Sequence, residues 1–153
     1  MERQSLGVGC RVQAGDAMTD LIVVHTPTLN GAALDWAVAK VEGIEVAIAA
    51  PHYGTDWRVY RPESGGKYSP STDWAVGGPL IDKHQLTVSS PQALVHRHTG
   101  WEPSGIWSAC TWTNDGYGAR SHGWHQTSAL IAACRAIVHN NLGDTVQVPK
   151  ELI

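Results

Sequence analysis

One segment, Tyr68-Ser-Pro-Ser-Thr-Asp-Trp-Ala-Val-Gly-Gly-Pro-Leu-Ile-Asp-Lys83, is the part around which we expect the rest of the chain to be arranged. Pro70 and Pro79 each favour an extended conformation in the residue before them. Gly77 and Gly78 permit backbone angles that residues with a Cβ rarely adopt. We therefore predict a helical turn after the first proline and a second short helix that begins at Pro79, since proline suits the first helical position. Rigid loops of this kind often carry function.

Length and composition indicate one globular domain. The chain has 153 residues, of which 42% are hydrophobic and 16% are charged, and this balance is typical of folded proteins. The net charge of −3 argues against a large nucleic-acid footprint, which usually needs a basic face. No apolar run approaches the roughly 20 residues of a membrane helix. Because no secretory signal is recognisable, we expect a cytoplasmic protein.

The N-terminal part differs in composition from the rest. Residues 1–17 show no hydrophobic period, and we interpret them as a flexible leader or as the result of a misassigned start codon. Residues 18–153 are predicted to form a single domain.

Hydrophobic periodicity predicts an α+β fold. Asn30 can cap a helix over 31–42 that Gly43 ends, and Thr127 or Ser128 can cap a helix that ends at Gly143. On the second helix we place Arg135 and His139 on the polar side. Strands are predicted at 21–24, 44–50, 57–60, 86–89 and 106–112, with an extended tail at 146–149. We expect two main helices and the short helix after Gly-Gly-Pro to pack on one small antiparallel sheet of four to five strands.

The segment from about residue 91 to 126 is predicted to be an irregular insert rich in Trp and His. Within it, Asn114-Asp-Gly116 is a strong turn signal. The whole chain has seven Trp and no Phe. These tryptophans either fill the core or line a binding face, and the sequence leaves both open.

Three separated motifs resemble the phage NinX-like family. The first is Thr19-Asp-Leu-Ile22 with Leu29-Asn-Gly-Ala-Ala-Leu-Asp-Trp-Ala-Val-Ala-Lys40, and the second is Tyr68-Ser-Pro-Ser-Thr-Asp-Trp74 with Gly77-Gly-Pro-Leu-Ile81. The third is Leu130-Ile-Ala-Ala-Cys-Arg-Ala136 with Leu142-Gly-Asp-Thr-Val146. The resemblance implies a protein of tailed phages or prophages that acts inside the bacterial host cell. It implies no catalytic residue, because the family is a domain of unknown function.

The sequence motifs for a metal site or a catalytic nucleophile are weak. His96-x-His98, His122-x-x-His125 and Cys110 match no strong zinc signature, and no Gly-x-Ser-x-Gly elbow is present. Apolar neighbours are expected to raise the pKa of the Cys110 thiol, and Cys134 is expected to be a small buried hydrophobe. We predict no catalytic residue, no metal site and no cofactor.

Three carboxylates allow a further alternative. Asp56, Asp73 and Asp82 have the chemistry to meet around Mg²⁺ in a small hydrolase. A simpler interpretation places Asp73 at a helix start, Asp56 in a turn and Asp82 on an exposed face. We therefore assign them no catalytic role.

The preferred site is a composite ligand pocket. Aromatic side chains are expected to stack on a planar ligand, His52, Arg58 and Arg61 to supply hydrogen-bond donors and charge, and the helix start at Gly-Gly-Pro to hold a phosphate or carboxylate. The alternative is that Trp36 and Trp74 belong to the core and that Gly-Gly-Pro is only a tight entry to a helix. The predicted site residues are Trp36, His52, Trp57, Arg58, Tyr60, Tyr68, Ser71, Asp73, Trp74, Gly77 and Gly78.

Three functions follow from these patterns. The first is a non-catalytic binder of a small polar or nucleotide-like ligand, with a possible counter-defence role. The second is an adaptor that contacts a host or phage protein through exposed Trp. The third is a small metal-dependent hydrolase that uses the His-rich insert.

Overall fold

A computed structural model of the chain describes residues 20–112 and 119–153. The predicted leader at 1–17 and the predicted turn at Asn114-Asp115-Gly116 lie outside the described residues. The described residues form three α-helices and nine strands. The helices are α1 (Gly31–Glu42), α2 (Trp74–Lys83) and α3 (Ala129–Leu142). The strands are β1 (Leu21–His25), β2 (Ala47–Ala49), β3 (Arg58–Tyr60), β4 (Thr87–Ser89), β5 (Leu94–Arg97), β6 (Gly100–Pro103), β7 (Trp107–Trp112), β8 (Ala119–His125) and β9 (Thr145–Pro149).

Capping residues set the ends of the two long helices, as predicted. The Asn30 side chain accepts a hydrogen bond from the Gly31 N–H at 3.0 Å, and Gly43 ends α1 with φ +66°. The Ser128 hydroxyl accepts from the Ile131 N–H at 3.2 Å and begins α3. These local contacts satisfy backbone groups that a helix terminus leaves unpaired.

The strands form several small sheets, so the prediction of one sheet is wrong. β1 pairs with β9, β2 with β3, and β5 with β6, and β7 lies between β4 and β8; all pairs are antiparallel. β2 and β3 lie within the strands predicted at 44–50 and 57–60, and they form an antiparallel hairpin. The prediction is wrong because the alternation of hydrophobic and polar residues shows which face of a strand is buried but does not show which strand pairs with it.

α3 is the centre of the fold. It contacts α1, α2 and the β4–β7–β8 sheet, and Ala132, Ala133 and Ala136 are its fully buried small residues on the sheet side. Gly123 of β8 lies so close that a Cβ there would be 2.0 Å from the Ala132 carbonyl oxygen. Small side chains on the helix and a glycine in the strand therefore permit this close approach.

α2 is one continuous helix, so the prediction of a helix start at Pro79 is wrong. It begins at Trp74, because the Asp73 side chain accepts from the Ala75 N–H at 2.9 Å. The Gly77 N–H donates to the Asp73 carbonyl at 2.8 Å, and Pro79 lies inside the helix. Gly78 tolerates the helical conformation before proline because it has no Cβ to crowd the ring.

Two further expectations are corrected. The segment 91–126, predicted to be irregular apart from a strand at 106–112, contains β5, β6 and β8 in addition to the predicted strand, which is β7. Arg135, predicted on the polar side of its helix, is 7% exposed. Its Nε donates to the Leu29 carbonyl at 2.8 Å and its Nη1 to the Trp124 carbonyl at 2.7 Å. These bonds replace water around the buried guanidinium.

Candidate functional site

A cavity of about 480 Å³ lies where α2, β4, β7 and the start of α3 meet. We name it the Trp cavity, and its lining residues are Trp74, Ile81, Val88, Trp107, Thr127, Ser128 and Ala129. Two indole rings and aliphatic side chains make most of the wall apolar, while two hydroxyl groups supply polarity at one end. Ligand pockets in proteins have this size and this balance of many apolar and few polar groups.

The sequence places Trp74 at the cavity through the cap of α2. Asp73 ends the extended segment and begins the helix, so that Trp74 is its first residue. Gly78 follows one turn later, where the position of a Cβ would be 3.7 Å from the Trp74 ring. The Trp74 side chain is 60% exposed, which leaves its ring available to a ligand.

The polar end of the Trp cavity is a turn that His125 holds in place. Its Nδ1 accepts from the backbone N–H groups of Thr127 at 3.2 Å and Ser128 at 3.0 Å. Burial and the charge of Arg135 lower the pKa of His125, which favours the neutral ring, whose Nδ1 accepts these two bonds. The Ser128 oxygen already accepts from Ile131, and its hydroxyl proton is available to a ligand.

A second cavity lies on the β2–β3 hairpin and has a different character. We name it the cationic cleft; it measures about 340 Å³ and is lined by Ala49, Arg58, Tyr60, Gly65 and Lys67. Arg58 and Tyr60 were predicted as site residues, and both line this cleft. Two basic side chains and one phenol ring make it suitable for an anion rather than for an apolar molecule.

A third group of predicted residues lies in the core. Trp36 is 3% exposed, and Tyr68 and Ser71 are each 1% exposed. The Ser71 N–H donates to Asp35 Oδ1 at 2.9 Å. Within the described residues the Tyr68 hydroxyl and the Ser71 hydroxyl have no hydrogen-bond partner. Burial, together with the negative charge of Glu42, raises the pKa of Tyr68.

The structure therefore divides the predicted pocket rather than assembling it. Trp74 lines the Trp cavity, and Arg58 and Tyr60 line the cationic cleft. His52 is exposed in the loop after β2, where its ring lies 4.1 Å from that of Tyr53, and Trp57 is partly buried against the core. Trp107, Thr127, Ser128 and Lys67 were missed, because their contribution depends on contacts between distant segments.

Gly77 does not form the predicted phosphate cradle. Its N–H is used within α2, and a Cβ there would be 2.2 Å from the Pro70 carbonyl oxygen and 2.9 Å from Leu130 Cδ2. The glycine is needed because α2, α3 and the preceding turn meet at this point. Asp73 acts as the helix cap, which agrees with the simpler of the two interpretations.

Glu42 ties the end of α1 to the end of α2. Its carboxylate pairs with Lys83 and His84. Burial opposes ionisation, but these two partners outweigh it and lower the pKa of Glu42. This contact fixes the helix that carries Trp74.

The candidate metal ligands have other surroundings. The His96 ring contacts Trp101 edge to face at 5.4 Å, and His96, Arg97 and His98 line a cavity of about 440 Å³. Within residues 20–112 and 119–153, no three His, Cys, Asp or Glu side chains converge as metal ligands. Burial raises the pKa of both Cys110 and Cys134, as the sequence predicted for Cys110. Cys134 is buried.

No helix in the described part of the chain has the length and apolar character needed to cross a membrane.

Comparison with known families identifies a match that extends along most of the chain. The model of the family described as Bacteriophage P22, NinX matches residues 25–141. The matched range includes α1, α2 and nearly all of α3 and runs through the segment 91–126. No curated protein matches the sequence.

Proposed function

The chain belongs to the bacteriophage P22 NinX family, and from this premise we propose that it is a phage accessory protein that binds a small planar, nucleobase-like molecule without transforming it. The observation that carries the proposal is the Trp cavity, in which Trp74 and Trp107 line a space of about 480 Å³. Aromatic side chains stack on the face of any nucleobase. The binder is proposed to act inside the infected cell, where sequestration of a small molecule would serve counter-defence.

The polar rim supports a ring with hydrogen-bonding edges. Thr127 and Ser128 offer hydroxyl groups at the cavity end, next to the turn that His125 fixes. A purely aliphatic ligand would leave these hydroxyls without new partners, whereas the edge of a nucleobase has both donors and acceptors. Among the described residues, none that lines the wall carries a carboxylate or an amine, which favours binding over acid–base chemistry.

The test has two steps. Native mass spectrometry of protein purified from a bacterial host, followed by the same sample denatured, detects a retained small molecule and its mass. Titration with adenosine, guanosine, cytidine and uridine, followed by tryptophan fluorescence, then measures affinity. We expect Trp74→Ala to weaken nucleoside binding by roughly 5- to 150-fold, which corresponds to the 1–3 kcal/mol of one stacked base.

Trp101→Ala is the matched control. Trp101 is 69% exposed and lies on the β5–β6 hairpin, away from the lining of the Trp cavity. We expect this variant to bind as the wild type does. Equal losses in the two variants, or no loss in Trp74→Ala, would refute binding in the Trp cavity.

A second candidate function is an adaptor. The observation that favours it is the outer face of the β4–β7–β8 sheet, where Trp112 is 51% and Trp124 is 50% exposed. Exposed Trp is enriched among the residues that anchor protein interfaces. Cross-linking in phage-infected cells, with wild type and Trp112→Ser/Trp124→Ser, tests it: a defined partner that is lost in the double variant supports the adaptor, and its persistence contradicts it.

A further inference from the structure

The cationic cleft is a second site whose chemistry differs from that of the Trp cavity. Arg58 and Lys67 border it, Tyr60 forms part of its wall, and its volume is about 340 Å³. We propose that this cleft binds the phosphate group of a small phosphorylated molecule.

Strand register brings the two cations to one face. Arg58 pairs with Ala49 across the β2–β3 hairpin, and Tyr60 forms a bridge with Lys67 on its other side. Between them Val59 is buried, so Arg58 and Tyr60 face away from the core, because side chains alternate along a strand. The small side chain of Ala49 leaves the space that the cleft occupies.

Backbone hydrogen bonds fix the position of Lys67. After β3 the chain turns back: the Arg61 N–H donates to the Gly66 carbonyl at 2.9 Å, and the Gly65 N–H donates to the Arg61 carbonyl at 2.8 Å. The Tyr68 N–H then donates to the Val59 carbonyl at 2.9 Å. The backbone on both sides of the cleft is therefore preformed, which reduces the entropy lost on binding.

The charges of the cleft are offset only in part, through the effect of the Lys67 charge on the buried carboxyl group of Asp35. Within the described residues, ion pairs join Lys83 and His84 to Glu42, and His139 to Asp144, and none includes Arg58 or Lys67. The acidic residues nearest in sequence, Glu45, Asp56 and Glu63, form no ion pair with either cation. Two cations that have no ion-pair partner within the described residues, placed around a preformed hollow, favour an anionic ligand.

A phosphate group fits this donor set. The planar guanidinium of Arg58 presents paired N–H donors that match two phosphate oxygens, and the ammonium of Lys67 adds a point charge. The Tyr60 hydroxyl and ring provide a further donor and a flat wall for the rest of the ligand. The protein has an overall net charge of −3, so its total charge does not attract anions and the attraction is local to this cleft.

The test uses ribose 5-phosphate as the probe, because it has a phosphate and no aromatic ring for the Trp cavity. Titration of ¹⁵N-labelled protein is followed by NMR, with inorganic phosphate in a parallel series. We expect saturable shifts at Arg58, Tyr60 and Lys67, and we expect Arg58→Gln/Lys67→Gln to weaken binding at least about tenfold. Equal affinity for inorganic phosphate identifies free phosphate as the ligand, and tighter binding of ribose 5-phosphate identifies a phosphate ester; both outcomes support the site.

Arg97→Gln/Lys150→Gln is the matched control, since it removes the same charge from exposed positions elsewhere. An equal loss in both double variants would show a general charge effect and overturn the proposal. Absence of saturable shifts in the wild type would also overturn it, as would binding of a short oligonucleotide together with no binding of ribose 5-phosphate. Failure here leaves nucleoside binding in the Trp cavity untouched, because that site is tested with uncharged nucleosides and Trp74→Ala.

Discussion

Asp35 Oδ1 accepts a hydrogen bond of 2.9 Å from the backbone N–H of Ser71, and this bond joins α1 to the turn that precedes α2. Asp35 is 4% exposed. Burial raises its pKa to about 6, although the bond from Ser71 and the charge of Lys67 partly offset this rise. A carboxyl group that links two elements of the core therefore gains its charge near neutral pH.

Asp35 makes the stability of the fold dependent on pH. Since its folded pKa of about 6 lies above the ordinary value of 3.8, the folded state binds the proton more tightly than the unfolded chain does. The resulting stabilisation is complete below about pH 3.8 and is lost as pH rises through 6. We predict that Asp35→Asn, which keeps an acceptor oxygen for Ser71, removes this loss and is more stable than the wild type by about 3 kcal/mol at pH 8.

Urea unfolding followed by circular dichroism at pH 4.5 and pH 8 measures this difference. The gain of Asp35→Asn over the wild type should be much smaller at the lower pH. Asp35→Ala is the control, because it leaves the Ser71 N–H unpaired and should lose about 1–3 kcal/mol relative to Asp35→Asn at both pH values. A gain of Asp35→Asn that does not change with pH would contradict the assignment.

Gly77 and Gly78 are adjacent in α2 but differ in their surroundings. A Cβ at Gly77 would meet the Pro70 carbonyl oxygen at 2.2 Å, whereas at Gly78 the nearest atom, Cε3 of Trp74, lies at 3.7 Å. We predict that Gly77→Ala lowers the free energy of unfolding by at least about 2 kcal/mol, because backbone must move. Chemical denaturation measures the loss.

Gly78→Ala is the matched comparison. Alanine raises helix propensity by about 1 kcal/mol, but its Cβ crowds the ring of Pro79, so we expect a net change within about 1 kcal/mol. Similar losses in the two variants would mean that the contact with Pro70 is not the reason for glycine at position 77.

The helix ends were predictable from the sequence because capping acts over a few residues. The side chains of Asn30 and Ser128 cap the starts of α1 and α3, and the backbone conformation of Gly43 ends α1. The same logic placed Asp73 at a helix start. The prediction of a helix start at Pro79 failed, because the Asp73 cap before Trp74 and the close packing of Gly77 against Pro70 and Leu130 outweigh the preference of proline for the first helical position.

Contacts between distant segments were not predictable in this way. The pairing of β1 with β9 joins the two ends of the described chain, and no local pattern specifies it. The sequence predicted a ligand-contacting role for Trp74 but not for Trp107, which lines the same cavity, since only tertiary packing brings the two residues together. The residue types predicted one pocket with aromatic and cationic side chains, whereas the separation of these residues into the Trp cavity and the cationic cleft depends on the fold.

Arg135 joins three parts of the molecule through a buried cation. It lies on α3, and it donates to the carbonyl groups of Leu29, before α1, at 2.8 Å and Trp124, in β8, at 2.7 Å. Arg135 is 7% exposed, and burial of the guanidinium lowers its pKa. We predict that Arg135→Met lowers the free energy of unfolding by about 2 kcal/mol, because two buried carbonyls lose their donor and this outweighs the relief from burying a charge. The free energy of unfolding of Arg135→Lys should lie between those of Arg135→Met and the wild type, since one ammonium group cannot reach both carbonyls as the guanidinium does.

Urea unfolding of both variants is compared with Arg97→Met, an exposed control expected to change stability by less than about 0.5 kcal/mol. If Arg135→Met is as stable as the wild type, the cost of burying the guanidinium cancels its two hydrogen bonds.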